Sequence, residues 1–177
     1  LVARLGVEQL DWVGTSMGGL IGLGLASLPN SPVRRLVLND VGPSIEPAAI
    51  ARIATYLGMP VTWPTVEAAA AALWQVSQGF GPHTPEQWLE LTRPQLVPAP
   101  GGGWMSHYDP AIAVPIRAVT PEIARAGEAL LWQSYDRLAC PTLLLRGDVS
   151  DLLSPATAQA MTERGPKATL VEFAGIG

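Results

Sequence analysis

The sequence predicts an α/β protein, a parallel sheet with flanking helices, interrupted by an α-helical insertion. Three observations predict it. Residues 9–28 read as a short apolar strand, a Gly-x-Ser-x-Gly turn and an apolar helix. Three further runs read as strands: Val33–Asn39 and Pro141–Gly147 as buried ones, and Ala168–Phe173 as a fourth strand. Between residues 44 and 137 such runs give way to helical spacing and capping signals. The expected division is a core made of residues 1–43 and 138–177, with a helical insertion over 44–137.

Taken in order, Leu1–Leu5 reads as the end of a helix stopped by Gly6 in the left-handed region. Gln9–Val13 is the strand into the turn and Gly18–Leu28 the helix after it, with Pro29 and Pro32 marking the return. With Val33–Asn39 this makes a right-handed βαβ unit. In the insertion, Ile50, Ile53, Ala54 and Leu57 share a helical face that ends at Gly58 and Pro60. Thr65 caps a second helix running to Gln78. Thr84-Pro85-Glu86-Gln87 opens a third, with a cap, proline at the first helical position and Gln three residues after the cap. Pro98–Gly103 is a loop. Thr120-Pro121 opens a short helix, and Glu128–Leu138 reads as another. Beyond Pro141–Gly147, Ser154-Pro155 caps a helix that Gly165-Pro166 stops, and Ala168–Phe173 is the last strand.

Composition narrows the function. Of 177 residues, 48% are apolar and only 15% charged, so the chain can bury a sizeable core. Net charge is −4 with no basic cluster, which argues against nucleic acid as a partner. The single cysteine, Cys140, rules out an internal disulfide, and with two histidines there is no set for a structural metal. No metal or other cofactor is expected. No apolar run reaches a membrane-span length and no signal-peptide pattern is present, so a cytoplasmic location is expected. The chain begins with Leu1, so a preceding segment carrying a targeting signal stays compatible with it. Oligomeric state is not encoded in any pattern here.

The chemistry centres on Gly14-Thr15-Ser16-Met17-Gly18. A serine on so sharp a strand-to-helix turn is held in a strained conformation, and small residues two places either side let the two elements pass. The turn raises the hydroxyl out of the backbone and aims the first amides of the helix, with their partial positive charge, at whatever it attacks. The Met17 N–H is therefore a candidate oxyanion donor.

With an apolar strand before it and an apolar glycine-containing helix after it, this stretch resembles the α/β-hydrolase family, whose elbow often reads G-x-S-M-G-G as Gly14–Gly19 do. The resemblance implies a partial α/β-hydrolase fold with a cap inserted after the strand that follows the elbow helix. It implies Ser16 as nucleophile. It implies an acid just past the next core strand, in a D-x-x-x-P pattern that Asp151–Pro155 match. Asp148 is a local rival, and Asp40 a more distant one, since some relatives place the acid after the earlier strand. The family order then requires a histidine after the acid. His83 and His107 both precede Asp151, so the base is expected just beyond Gly177, and part of the core is expected ahead of Leu1.

The expected function is hydrolysis of a carboxylic ester or related acyl substrate through an acyl-enzyme, with the 177 residues alone inactive. Lactones, thioesters and C–C bonds beside ketones are alternative substrates. The alternative outside enzymes is a binding protein that keeps the fold and the turn. Trp63, Trp74, Trp88, Trp104, Trp132 and Met105 suggest a hydrophobic small-molecule substrate. Trp104, His107 and Tyr108, in one loop of the insertion, are candidate pocket residues.

Overall fold

A computed structural model describes residues 2–177. Four parallel strands form one sheet: β1 (Leu10–Thr15), β2 (Val33–Asn39), β5 (Thr142–Gly147) and β6 (Thr169–Phe173), in spatial order β1-β2-β5-β6. Register places Thr15 opposite Asn39, Asn39 opposite Leu145, and Gly147 opposite Phe173. The four carboxyl ends therefore lie along one edge, where ligands of open α/β sheets bind. β1 stands at the end of the sheet with Val13 72% exposed.

Helix α1 (Met17–Ala26) follows β1 directly, and Leu23, Leu36, Leu38, Leu144, Leu153 and Met161 are fully buried between sheet and helices. A cavity left by truncating one such leucine would cost about 3–5 kcal/mol. Helix α7 (Pro155–Glu163) starts where Ser154 Oγ accepts from the Thr157 amide, the cap its Ser-Pro start predicts. Helix α6 (Pro121–Asp136) is one 16-residue helix where the sequence suggests two. Gly127 lies inside it in open space and does not interrupt it. Tyr135 of α6 is fully buried, its hydroxyl donating to the Met161 carbonyl at 2.5 Å, and burial pushes its pKa up to about 12. Trp132 of the same helix donates to Ser44 Oγ at 2.9 Å and carries the Arg164 guanidinium over its ring.

These contacts explain the division into compact units: residues 1–50 with 120–177, and residues 51–119. The second is narrower than the 44–137 expected of the insertion, because α6 lays Tyr135 and Trp132 into the first unit's core. Helix α2 (Pro47–Ala54) straddles the boundary. The second unit holds α3 (Val66–Ser77), capped by Thr65, and α4 (Pro85–Thr92), with the full Thr84/Gln87 capping box. It also holds a hairpin of β3 (Leu96–Pro98) and β4 (Trp104–Ser106) and the short α5 (Ala113–Arg117), none of which the sequence announces. Its core is Val66, Ala69 and Leu96 packed by Trp63, Leu89 and Trp104. The expected helix end at Leu1–Leu5 is a 3-10 turn over Val2–Arg4, with Leu1 outside the described residues and Gly6 at φ +62°. No helix among the described residues is long and apolar enough to cross a membrane.

Candidate active site

Ser16 sits between β1 and α1 at φ +50°, ψ −123°. A left-handed φ of this kind costs a non-glycine residue about 1–3 kcal/mol. It also changes what the side chain does. A serine at the start of a helix ordinarily caps it, but Ser16 is exposed and its hydroxyl makes no cap hydrogen bond. The backbone around it is fully tied. The Ser16 amide donates to the Asn39 carbonyl at 3.2 Å, and the Ser16 carbonyl accepts from Gly19 and Leu20 at 2.9 and 3.1 Å. Asn39 also donates through Nδ2 to Thr15 Oγ1 at 3.0 Å. Met17 is the first residue of α1, so its amide has no intrahelical acceptor.

The glycines divide the steric work differently from the pattern. A Cβ on Gly14 would stand 2.5 Å from the Gly18 carbonyl carbon and the Gly19 nitrogen. One on Gly19 would stand 2.5 Å from Val41 Cγ1 and 2.9 Å from the Gly14 carbonyl oxygen. Gly18 itself faces open space, so Gly14 and Gly19, not Gly14 and Gly18, are the positions packing forbids to a side chain. Trp12 closes the underside, its indole donating to the Gly18 carbonyl at 2.9 Å and lying where a side chain on Gly22 would go.

Two strands along, the loop from Gly147 to Ser154 leaves β5 at the same edge. Arg146, 2% exposed, holds it from below: Nε donates to the Leu153 carbonyl at 2.8 Å and Nη1 to Glu172 at 2.7 Å. Ser150 Oγ accepts from the Leu152 and Leu153 amides, both at 3.2 Å, and donates to Asp40 Oδ2 at 2.7 Å. Asp40 is thus joined to this loop from the end of β2, and its amide donates to the Leu145 carbonyl. Burial pushes the Asp40 carboxyl above its ordinary value, and the nearby Asp151 charge adds to that; the Ser150 hydrogen bond, Arg146 and the Gly147 backbone act against it. Asp40 Oδ1 is buried without a hydrogen-bond partner.

Ser16, Asp40 and Asp151 thus occupy the carboxyl ends of three neighbouring strands, and Asp151 is exposed there. At about 4.8 Å per strand, β1 and β5 are roughly 10 Å apart. Asp148 is engaged elsewhere. Its Oδ1 accepts from the Gly175 amide at 2.8 Å, and the neighbouring Val149 amide donates to the Ile176 carbonyl at 3.1 Å. The residues after β6 are thereby laid against the loop that carries Asp151.

The two histidines belong to the second unit. His83 packs edge-on against Trp74 and Trp88, with Nδ1 2.9 Å from the Gly81 carbonyl oxygen. The backbone of exposed His107 donates to the Gln95 carbonyl. Trp104 pairs through its backbone with Trp63, and Tyr108 accepts from the Gly58 amide. A cavity of about 410 Å³ in this unit is lined by Trp74, His83 and Trp88 rather than by Trp104, His107 or Tyr108. The sequence does not disclose the Ser150 and Arg146 contacts, since nothing local marks their long-range partners. Among the described residues no group of three or more His, Cys, Asp or Glu is placed to hold a metal ion.

A family model described as alpha/beta hydrolase fold matches residues 1–177. A 3-hydroxybutyrate-oligomer hydrolase of Cupriavidus necator is 52% identical over 180 residues, covering all of this chain and 61% of that protein. The crystal structure of an alpha/beta hydrolase from Novosphingobium aromaticivorans matches with TM-score 0.83 at 35% identity, over 99% of this chain and 61% of that one. An E-2-(acetamidomethylene)succinate hydrolase matches with TM-score 0.79 over 99% of this chain and 62% of that one; at 20% identity this is a likeness of fold alone. The chain spans about three fifths of the length of each of these proteins.

Proposed function

The chain belongs to the α/β-hydrolase family, and from that premise we propose that it carries the nucleophile and acid of a serine ester hydrolase. The reading rests on one observation above the others: Ser16, an exposed residue, is held at φ +50° with a hydroxyl that does not cap α1. Ser16 Oγ attacks the ester carbonyl carbon. Its proton passes to a histidine, which we assign to residues following Gly177 in the longer protein, and Asp151 holds that imidazole in the productive tautomer. The Met17 amide, at the positive end of α1, stabilises the oxyanion. Collapse of the tetrahedral intermediate expels the alcohol, which takes the proton from the imidazolium. Water then attacks the acyl-enzyme by the same route, releasing the acid and restoring Ser16.

The likeness to the Cupriavidus necator protein makes short 3-hydroxybutyrate esters the first substrates to test. In them the leaving group is the hydroxyl of the next unit, so each turnover yields one acid and one alcohol end. Residues 44–137, with the compact unit 51–119 inside them, are proposed as the cap. In the full-length protein, release of 3-hydroxybutyrate from its dimer and trimer, with and without Ser16→Ala, tests this reading. The expected result is turnover that Ser16→Ala reduces on the order of 10⁶-fold, to background. Turnover that survives Ser16→Ala would overturn the nucleophile, and no turnover of any ester would favour a binding protein.

A further inference from the structure

Asp40 and Ser150 make an arrangement that the chemistry above leaves unused. Asp40 holds φ +52°, a conformation glycine or asparagine adopts at less cost. Its Oδ1 is buried without a hydrogen-bond partner, which adds to the cost of keeping it there. A turn needing only shape would shed both costs with glycine. What Asp40 supplies is a charged acceptor for the Ser150 hydroxyl at 2.7 Å, across 110 residues of sequence. A serine hydroxyl has one hydrogen and two lone pairs. Here the hydrogen goes to Asp40, and the lone pairs take the Leu152 and Leu153 amides, the two residues directly after Asp151. Arg146 fixes the next carbonyl, that of Leu153. Asp40 cannot itself present a carboxylate to an imidazole in this geometry, because Oδ2 is engaged and Oδ1 is enclosed.

We propose that Asp40, acting through the Ser150 hydroxyl, is a positioning residue that fixes the backbone beside Asp151 and so aims the Asp151 carboxylate. The proposal rests on the reading of Asp151 as the acid. Without the Asp40 acceptor the Ser150 hydrogen has no fixed direction, its lone pairs no longer face both amides, and the Asp151 carboxylate moves. Misplacement of a catalytic group by about 1 Å costs on the order of 100-fold.

The test is a mutant cycle in the full-length protein, with kcat and KM measured separately on a p-nitrophenyl ester. Ser150→Ala and Asp40→Asn are each made alone and together with Asp151→Asn. The expected result is that Ser150→Ala lowers kcat about 10- to 100-fold with KM unchanged, and Asp40→Asn lowers it less. Ser150→Thr, which keeps the hydroxyl, restores most of the loss. In the Asp151→Asn background neither change lowers kcat further, because the group they aim is already gone. An equal loss in both backgrounds would overturn the proposal, since the pair would then act on the fold at large. So would a folded Ser150→Ala enzyme with parental kcat. If Ser150→Ala fails to fold, Asp40→Asn, which preserves shape, carries the same comparison. If Asp151→Asn alone keeps parental kcat, the assignment of the acid fails, and that outcome is distinct from the others.

Discussion

The turn at Ser16 and the loop at Asp151 lie two strands apart on one sheet edge, yet opposite means build them. The turn is made by leaving side chains out. Gly14 and Gly19 admit no Cβ, and main-chain hydrogen bonds to Asn39 and within α1 hold the strained serine. The loop is made by putting side chains in. Buried Arg146, Ser150 and distant Asp40 supply the bonds that its backbone does not make for itself. Steric exclusion is local and close to all-or-none, whereas a polar stitch spreads over several weaker bonds. The turn should therefore fail abruptly and the loop by degrees.

The largest expected effect sits on the chemistry proposed for both regions. Asp151→Asn in the full-length protein should lower kcat about 10⁴-fold, as an asparagine holding the base in the wrong tautomer does. Asp40→Asn should cost far less, and the reverse order would give the acid role to Asp40. Next is the steric side of the contrast. Gly14→Ala, driven into backbone, should destabilise by about 3 kcal/mol or more, measured by urea unfolding. Gly18→Ala, which meets nothing, should stay within about 1 kcal/mol of the parent and gain slightly in helix propensity. Equal losses at the two glycines would break the distinction.

Arg146→Met tests the stitched side. It strips the Leu153 carbonyl and Glu172 of a donor, but Glu172 is half exposed and water can replace the bond. A loss of about 2–3 kcal/mol is expected, below that of Gly14→Ala. The smallest effect is one of pH. Because burial raises the Asp40 pKa in the fold, the folded state binds its proton more tightly than the unfolded chain does. Its contribution to stability is therefore fullest below the ordinary carboxylate pKa and declines as pH rises through the raised value. Urea midpoints measured from pH 3 upward should show this slope in the parent and lose it in Asp40→Asn. A slope unchanged by the substitution would remove Asp40 as its source.

The same contrast explains what can be read from the sequence. β2 and β5 are legible because buried parallel strands leave apolar runs, β6 because Leu170, Val171 and Phe173 mark a short strand even though it is mostly exposed, and the cap residues Thr65, Thr84 and Ser154 because capping is local. The turn at Ser16 is legible because excluding side chains leaves a glycine pattern, though it is Gly19 rather than Gly18 that packing constrains. The β3–β4 hairpin is not legible, since strands of three residues carry no measurable period. Gly127 misleads in the other direction, because tertiary packing of α6 outweighs the propensity cost of one glycine. Ser150 and Arg146 carry no local mark, as their partners Asp40 and Glu172 reach them only through sheet pairing.

The central claim is that the strained serine at the end of β1 is the nucleophile. Treating the full-length protein with a fluorophosphonate and mapping the adduct by peptide mass spectrometry tests it directly. The expected result is a single adduct on Ser16, formed slowly in Asp151→Asn and absent in Ser16→Ala. An adduct on another serine, or none on a folded protein, would contradict it.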